Sequence, residues 1–381
     1  MGGGREWKRR GGTGPAVAAP RPLAVCGHRA DPKAECHPPS LVPGVPGGQG
    51  ALTSPAVAGN STKSDEEGAA PAMPRHVYFQ REAPDPVLPS AAVLSLVRRH
   101  VPGAAAVAGV DESGGEARTY AVDADIILKV QRPQQLRTGT SLEREVVFLR
   151  HLETAAPDLA VPRVLGYGHD GPELEYTVLS RMPGVAMGRA ALGPAARRRL
   201  LLELGPLLRR VHGIPQSPLQ DSGLFPGDRG LPDLQARFGE AFLALAERLE
   251  RERRAWPFPL PPERIGVRVM GGLPRGGPLV ALHSNPGPTH TFVDPETGRF
   301  SGVIDFGDAY ISHPALDLRR WAGPSDGDAI LAGYSAAGPV DEGFLAVWRA
   351  VLILSAAQVL VSGGDGAAAA AEDLGRLLAE A

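Results

Sequence analysis

The segment "VIDFGDAY", residues 303–310, carries two aspartates directly after a short apolar run. Such a run predicts a buried strand, and a strand that ends in Asp305 would hold its carboxylate on a rigid support. The glycine two positions later lets the chain turn. A carboxylate in this setting suits a Mg²⁺ ion that bridges nucleotide phosphates. The alternative is that Asp305 and Asp308 only begin a turn, and these residues alone leave both interpretations open.

Lys129 is the second residue whose type suggests chemistry. The 40 Lys and Arg residues are nearly all arginine, and Lys129 is the only lysine after residue 63. It lies in a predicted strand, residues 125–131, on the face opposite to the main apolar one. A compact ammonium differs from the planar guanidinium fork, so one retained lysine indicates a site that needs it. A solvated lysine on an edge strand is the alternative.

The first half of the chain predicts the elements that would position Lys129. A helix is predicted over residues 90–100, and strands over 117–122, 125–131 and 175–179, with a Gly-rich turn before the first strand. Between the strands, "TSLEREVVFLRHLE" predicts a helix that Thr140 and Glu143 open with a capping box. Its buried stripe consists of Leu142, Val146, Leu149 and Leu152.

Helices dominate the second half of the chain. Apolar residues at helical spacing predict long helices over residues 195–215, with a kink at Pro206, and over 232–256, 342–363 and 366–381. A hairpin with its turn at residues 295–298 separates the second helix from the third. A strand-rich segment followed by a helical one predicts an α+β fold with two lobes.

Composition narrows the class of protein. The chain has 381 residues, a net charge of −2 and 43% hydrophobic residues, enough for a sizeable core in two lobes. Near-neutral charge gives no reason to expect nucleic acid or an anionic membrane as partner. We find no uninterrupted apolar run of about 18 residues, and no apolar segment follows the basic start as a secretory signal requires. We therefore expect a soluble cytoplasmic protein.

Residues 1–72 differ in composition from the rest of the chain. They are rich in Gly, Pro, Ala and Ser and have no sustained apolar period, so we expect this extension to be disordered. Cys26 and Cys36, the only cysteines, lie within it. A disulfide framework or a thiolate metal site in the core is therefore excluded.

Three motifs together resemble the aminoglycoside phosphotransferase and choline kinase-like family. The loop "HSNPGPTH" matches the length and first residue of the family's His-Gly-Asp-x-x-x-x-Asn, "IDFGDA" matches fully, and "HPALDL" is similar to Asp-Pro-x-x-Asp-Leu. The resemblance covers roughly residues 105–360. It implies a two-lobed protein-kinase-like fold, with a small antiparallel-sheet nucleotide-binding lobe over 73–182 and a larger, mainly helical lobe over 183–381. It also implies transfer of the γ-phosphate of ATP to a small-molecule hydroxyl.

The resemblance assigns roles to residues that would bind the nucleotide. Lys129 resembles the lysine that holds the α- and β-phosphates, and Glu145 its partner. Ser180 and Met182, with Arg181 between them, would form the hinge whose backbone holds the adenine edge. The turn at Gly114 and Gly115 would cover the phosphates, although a plain hairpin turn is the alternative.

Further roles fall on the loop and the segment after it. Asp305 would bind Mg²⁺ or Mn²⁺, and His283 opens the catalytic loop. Asp317 would brace that loop through its backbone amides, or alternatively cap the following helix. His212 is interpreted as a packing residue rather than a ligand. The acceptor pocket would lie between the loop and the helices at 195–255 and 342–362, and the Arg-rich residues 197–210 argue against a polycationic acceptor.

Two positions depart from the family pattern. Asn285 stands where the catalytic aspartate is expected, and an amide can orient a hydroxyl but cannot take its proton. His290 stands where a metal-binding asparagine is expected, and imidazole suits Mn²⁺ or Zn²⁺ better than Mg²⁺. His290 would support Asp305 at the metal; the alternatives are that it contacts phosphate while Asp305 and water hold the metal, or that it is a loop histidine satisfied by backbone. Asp294 and Asp308 are the nearest substitutes for the missing base. An impaired phosphotransferase is the favoured interpretation, and a nucleotide-binding regulatory protein without transfer activity is the alternative.

Overall fold

The structure is a computed structural model that describes residues 85–136, 139–364 and 366–380. The extension predicted over residues 1–72, with both cysteines, lies outside these ranges. Within them, a strand-rich lobe is followed along the chain by a mainly helical one, in the predicted order.

The smaller lobe is built on a five-stranded antiparallel sheet with the strand order β1-β2-β3-β5-β4. Its strands are β1 (Val107–Asp111), β2 (Ala117–Val122), β3 (Ile126–Gln131), β4 (Val164–His169) and β5 (Glu175–Ser180). Helices α1 (Ser90–Arg98) and α2 (Ser141–Ala155) accompany the sheet, with a short 3-10 turn at Pro133–Gln135. A core forms between α1 and the sheet, and it contains Val93, Leu96, Val97, Tyr120, Val122, Leu128 and Val178.

The predictions for α1, α2, β2, β3 and β5 are confirmed to within a few residues. Strands β1 and β4 are not predicted from the sequence, and both lie at the edges of the sheet. Four of the five residues of β1 are exposed, and β4 contains two glycines. Since only strands with one buried face alternate apolar and polar residues, these edge strands lack the period on which prediction depends.

The larger lobe consists of seven described helices and two small sheets. The helices are α3 (Pro194–His212), α4 (Ser217–Gln220), α5 (Leu231–Glu252), α6 (Pro262–Gly271), α7 (Pro324–Ala336), α8 (Glu342–Ser362) and α9 (Ala367–Ala379), with 3-10 helices at Met187–Arg189 and Pro314–Trp321. Strands β6 (Val185–Ala186), β8 (Thr291–Val293) and β9 (Phe300–Val303) form one antiparallel sheet, and β7 (Val280–Leu282) pairs with β10 (Tyr310–Ser312).

The predicted helices of this lobe are confirmed. Pro206 lies inside α3, which continues past it as one helix. The predicted stripe of α5 is buried throughout, and it consists of Leu234, Phe238, Phe242, Leu245 and Leu249. The predicted hairpin is formed by β8 and β9.

One helix of the described chain, α8, is long and apolar enough to cross a membrane by length and composition, and 56% of its most apolar window is buried inside the protein. Core helices of globular proteins meet the same criteria. Its buried residues belong to the core of the larger lobe.

This core continues into α2 of the smaller lobe. Phe148 on α2 makes edge-on contacts with Phe225 and Phe306, with ring centroids 5.8 Å and 5.1 Å apart. Leu149 and Leu152 belong to the same core. The helix that carries Glu145 is therefore packed directly against the residue that follows Asp305.

Candidate functional site

Lys129, Glu145 and Asp305 form one charged cluster between the lobes. Lys129 Nζ donates to Glu145 Oε2 and Oε1 at 2.8 Å and 3.0 Å, and to Asp305 Oδ1 at 2.9 Å. The Glu145 side chain is almost fully buried, that of Lys129 is 15% exposed, and that of Asp305 is 37% exposed. The ammonium is thus held at the inner end of the cluster, while the Asp305 carboxylate reaches solvent.

Local sequence explains how β3 and α2 present the first two residues. In β3, Ile126, Leu128 and Val130 are buried in the sheet core, which leaves Lys129 on the other face. Thr140 accepts a hydrogen bond from Glu143 N–H at 3.1 Å and caps α2. One turn later, Glu145 faces Lys129.

The backbone at Asp305 is left-handed. Its φ is 73°, a conformation that costs a non-glycine residue free energy and that clusters at functional sites. Phe306 N–H donates to Glu145 Oε1 at 3.3 Å, which helps hold the turn. Gly307 does not supply the turn through a positive φ, contrary to the expectation from the sequence. A Cβ at Gly307 would lie 3.0 Å from Ser141 Cβ, so this glycine permits close approach to α2.

Mutual attraction stabilises the charged forms of Lys129 and Asp305, whereas burial raises the pKa of Glu145 in spite of Lys129. Burial opposes the ammonium of Lys129, but the charges of Asp305 and Glu145 raise its pKa above the ordinary value. Burial likewise opposes the carboxylate of Asp305, but Lys129 lowers its pKa well below the usual range. Asp305 is therefore ionised at neutral pH, as a cation ligand must be.

His290 links the loop at residues 283–290 to Asp305. Its Nδ1 lies 2.8 Å from the carbonyl oxygen of Asn285, which can only accept, so Nδ1 carries a proton. Its Nε2 lies 3.3 Å from Asp305 Oδ2. In the neutral ring, Nε2 then has a lone pair that faces the Asp305 carboxylate. A cation or a second proton is therefore needed between Nε2 and Oδ2.

The donor set of His290 and Asp305 fits a divalent ion. Two ligands of one ion, each about 2.1 Å from it, lie about 3 Å apart, close to the separation of Nε2 and Oδ2. One imidazole nitrogen with one carboxylate suits Mn²⁺ better than Mg²⁺, which prefers oxygen ligands. No group of three or more His, Cys, Asp or Glu side chains placed to hold a metal occurs among the described residues. Further ligands would have to come from water or from a bound phosphate.

Asn285 lies half-buried in the loop beside this pair. Its backbone N–H donates to His283 Nδ1 at 3.2 Å, and its carbonyl accepts from His290. Within the described part of the chain, its side-chain amide has no hydrogen-bond partner. The amide is therefore free to bind another molecule.

Asp317 braces the loop at residues 283–290 through two backbone amides. Its Oδ2 accepts from His283 N–H at 2.8 Å, and its Oδ1 accepts from Ser284 N–H at 2.6 Å. Burial would raise the pKa of Asp317, but the hydrogen bond from His212 and the loop amides lower it. The alternative interpretation as a helix cap is wrong, because His313 caps the 3-10 helix Pro314–Trp321 through Ala315 N–H.

His283 is buried and does not reach the cleft. Its Nε2 donates to the Ile304 carbonyl at 2.9 Å while its Nδ1 accepts from Asn285 N–H. Both nitrogens are thus occupied in the neutral ring, and burial lowers the pKa of His283 to about 4. The side chain positions the loop backbone and is not placed to touch an acceptor.

The predicted nucleotide-contact residues serve local structure in this state. Ser180 Oγ accepts from Arg163 N–H at 2.8 Å. Met182 is buried, with its sulfur against Gly302. A Cβ at Gly114 would lie 2.4 Å from the Ala117 carbonyl oxygen, so this turn requires glycine there.

The turn at Gly114 and Gly115 joins β1 to β2, and Arg132 fastens it. Arg132 Nε donates to the Gly114 carbonyl at 2.9 Å, and its Nη2 to the Glu112 carbonyl at 2.7 Å. A Cβ at Gly115 would meet no atom within 4 Å. The predicted roles of these backbone segments toward a nucleotide stay predictions.

His212 has a larger role than the packing role predicted from the sequence. Its Nε2 donates to Asp317 Oδ2 at 2.9 Å, and its Nδ1 lies 2.9 Å from the hydroxyl of Tyr334. It is therefore not only a packing residue but also a support of the carboxylate that braces the loop. The available signal was a histidine on the buried face of α3 in its last turn.

Comparison with known proteins gives consistent matches. A family model described as "Phosphotransferase enzyme family" matches residues 108–351. The aminoglycoside 3'-phosphotransferase of Streptomyces fradiae is 28% identical over 200 residues, which cover 47% of this chain and 67% of that protein.

Two solved structures share the fold. The GDP complex of wild-type aminoglycoside 2'-phosphotransferase-IIIa has a TM-score of 0.52 and 18% identity, and it covers 77% of this chain and 99% of that one. The GDP and kanamycin complex of APH(2'')-IIia has a TM-score of 0.50 and 19% identity, with 76% and 99% covered. These likenesses show the two-lobed fold that the sequence predicts.

Proposed function

Because this chain belongs to the phosphotransferase enzyme family and has its two-lobed protein-kinase-like fold, we propose that it transfers the γ-phosphoryl group of ATP to a hydroxyl of a small molecule. The observation that supports this proposal most directly is the cluster of Lys129, Glu145 and Asp305. It joins a buried ion pair of the smaller lobe to an ionised, partly exposed carboxylate of the larger lobe. This is the arrangement that phosphoryl transfer needs.

The proposed roles at the nucleotide side follow from the contacts. Lys129, held in place by Glu145, would contact the nucleotide phosphates, and Asp305 with His290 would hold the divalent ion. The ion would neutralise negative charge on the phosphates. Lys129 would then exchange its hydrogen bond with Asp305 for phosphate oxygens, while the buried Glu145 keeps it in place.

Asn285 would act on the acceptor side. Its unpaired amide oxygen can accept a hydrogen bond from the acceptor hydroxyl and direct that oxygen at the γ-phosphorus. The new oxygen–phosphorus bond forms as the bond to the ADP oxygen breaks, and the hydroxyl proton passes to a phosphoryl oxygen or to water. General-base help is worth about 10²- to 10⁴-fold, so we expect slow turnover.

A nucleotide-binding protein without transfer activity is the second candidate, and the amide at Asn285 favours it. The carboxylates nearest in sequence do not offer a placed base. Asp294 Oδ1 is occupied by Glu296 N–H and Thr297 N–H in the turn of the β8–β9 hairpin, at 3.0 Å and 2.8 Å. Asp308 is exposed, and no hydrogen bond joins it to Asn285 within the described chain.

One experiment separates the two functions. Binding of ATP and GTP is measured on the full chain with Mg²⁺ or Mn²⁺, and ADP or GDP release is followed with a panel of hydroxylated acceptors. GTP is included because the two solved structures are GDP complexes. The variants are Asn285→Asp, Asp305→Asn, and Asp294→Asn as a matched control in the hairpin turn.

The proposal expects nucleotide binding and slow release in the native chain, with release increased about 10²- to 10⁴-fold in Asn285→Asp and lost in Asp305→Asn. Asp294→Asn should behave like the native chain, because asparagine serves the same turn. Binding with release only in Asn285→Asp would establish the non-catalytic alternative. Absence of nucleotide binding in every variant would exclude both functions.

A further inference from the structure

We propose that Arg320 binds an anionic group of the acceptor, so that the acceptor is a phosphorylated or carboxylated small molecule rather than a polycation. This inference rests on the proposed function, and it concerns the acceptor side of the same site. It follows from where Arg320 lies and from the absence of a partner for its charge.

The 3-10 helix Pro314–Trp321 is anchored to the catalytic loop on both sides of Arg320. Arg319 Nη2 donates to the Ser284 carbonyl at 3.1 Å, and Trp321 Nε1 donates to the Pro286 carbonyl at 2.9 Å. Because Arg319 and Trp321 are both bound to the loop, the backbone of Arg320 is held next to it.

The side chain of Arg320 reaches the loop at Gly287, next to Asn285. A Cβ at Gly287 would lie 3.4 Å from Arg320 Cγ and 3.6 Å from Asn285 Oδ1. The two side chains therefore border the same glycine. The stem of Arg320 thus starts beside the residue whose amide would orient the acceptor hydroxyl, and an acceptor bound there is within the reach of its guanidinium.

The charge of Arg320 has no partner within the described chain. Its Nε is buried without a hydrogen bond, and no described carboxylate lies within ion-pair distance. Neighbouring arginines differ, since Arg319 is bound to Ser284 and Arg197 pairs with Asp326. A half-buried guanidinium without a partner is costly, and a bound anion would remove that cost.

The surrounding charges favour an anion and oppose a cation. Burial and the adjacent guanidinium of Arg319 lower the pKa of Arg320, and the carboxylate of Asp308 opposes this effect without pairing. Two adjacent guanidinium groups attract carboxylate or phosphate and repel ammonium groups. Aminoglycosides, which the related proteins are named for, carry several ammonium groups and would be repelled here.

The acceptor is a better source of the anion than the nucleotide. On the nucleotide side, Lys129 and His290 already face Asp305 and are placed to serve the phosphates and the ion. Arg320 borders the loop at Gly287, two positions from Asn285, and makes no contact with Lys129, His290 or Asp305 within the described chain. We therefore assign the cationic group at Gly287 to the acceptor and those at Asp305 to the nucleotide.

The test compares ligands that differ only in the anionic group. Glycerol 3-phosphate, D-glycerate, glycerol and kanamycin are titrated at fixed ionic strength into the full chain saturated with ADP and Mn²⁺, and affinities are measured by calorimetry. The variants are Arg320→Leu, Arg320→Lys, and Arg251→Leu as a control for the same loss of charge at an exposed position on α5. Melting temperatures show whether each variant is folded.

We expect at least one of the two anions to bind more tightly than glycerol or kanamycin, with affinity reduced about tenfold or more in Arg320→Leu, partly kept in Arg320→Lys and unchanged in Arg251→Leu. Equal anion affinity in native protein and a folded Arg320→Leu, or tighter binding of kanamycin, would overturn the inference. So would failure of both anions to bind. Displacement of ATP by the anion in a competition titration would place Arg320 at the nucleotide phosphates instead, and would also overturn it.

The same titrations keep the two proposals separate. Failure of the native chain to bind ADP would be evidence against the proposed function itself. Normal ADP binding with anion affinity that does not depend on Arg320 would remove only the inference about the acceptor.

Discussion

Lys129 Nζ lies 2.9 Å from Asp305 Oδ1, although the two residues are 176 positions apart in the chain. The contact joins the central strand of one lobe to the end of a short sheet in the other. Both partners are ionised, and Glu145 shares the ammonium from the buried side. The stability of the protein and the proposed binding of nucleotide phosphates therefore depend on the same three groups.

Removing Lys129 should destabilise the fold. In Lys129→Met, Glu145 loses its partner while it stays buried, and breaking a buried pair costs about 3–5 kcal/mol. We expect the free energy of unfolding in urea to fall by about 3 kcal/mol and nucleotide binding to be lost. Arg150→Met, at an exposed position on α2, should change stability by less than about 0.5 kcal/mol.

The double variant Lys129→Met with Glu145→Gln tests whether the unpaired buried carboxylate of Glu145 causes the loss of stability. Without the buried carboxylate, part of the lost stability should return, because no unpaired charge remains. If the double variant is less stable by the sum of the two single effects, the pair is not coupled and the interpretation of the cluster fails.

His290 should decide which ion the site prefers. An imidazole beside Asp305 favours Mn²⁺ over Mg²⁺, so the native chain with ADP should bind Mn²⁺ at least about tenfold more tightly. His290→Asn replaces the ring nitrogen with an amide oxygen and should reduce the difference between the affinities for Mn²⁺ and Mg²⁺. Binding is measured by electron paramagnetic resonance of Mn²⁺ with Mg²⁺ as competitor.

The exposed His169 provides the control for this experiment, and His169→Asn should keep the native preference. An unchanged ratio of Mn²⁺ to Mg²⁺ affinity in His290→Asn would show that His290 is not a ligand. It would then serve only as the link between Asn285 and Asp305.

His313 should make the fold sensitive to acid. Burial lowers the pKa of His313 to about 4, whereas an unfolded histidine titrates near 6.5. Between these values the unfolded chain binds a proton that the native chain does not, so stability is lost as pH falls from about 6.5 toward 4. At pH 5 the contribution of this one residue is about 2 kcal/mol.

The variant His313→Asn removes the titration, and its amide oxygen replaces Nδ1 as the N-cap acceptor of the 3-10 helix. The drop in unfolding free energy between pH 7 and pH 5 should be smaller by about 2 kcal/mol in this variant. His169→Asn should keep the native drop. An identical pH dependence in His313→Asn and the native chain would contradict the buried neutral state of His313.

The sequence determined what local interactions decide. Alternation in β3 placed Lys129 on its face, helical spacing defined the buried stripes of α2 and α5, and Thr140 capped α2. Residues 303–308 indicated a strand that ends in a carboxylate. These features depend on neighbours a few positions apart, so a single sequence contains them.

Only the tertiary structure decided which distant groups meet. It gave Asp317 the loop amides and His212 as partners, turned His283 away from the cleft, and joined His290 to both Asn285 and Asp305. It also left Arg320 without a partner beside Gly287. Hydrogen-bond partners and the absence of a counter-charge depend on chain segments that approach only after folding. The periodicity within one segment therefore does not predict these partners. Edge strands such as β1 are also not predicted, because their exposed faces have no apolar period.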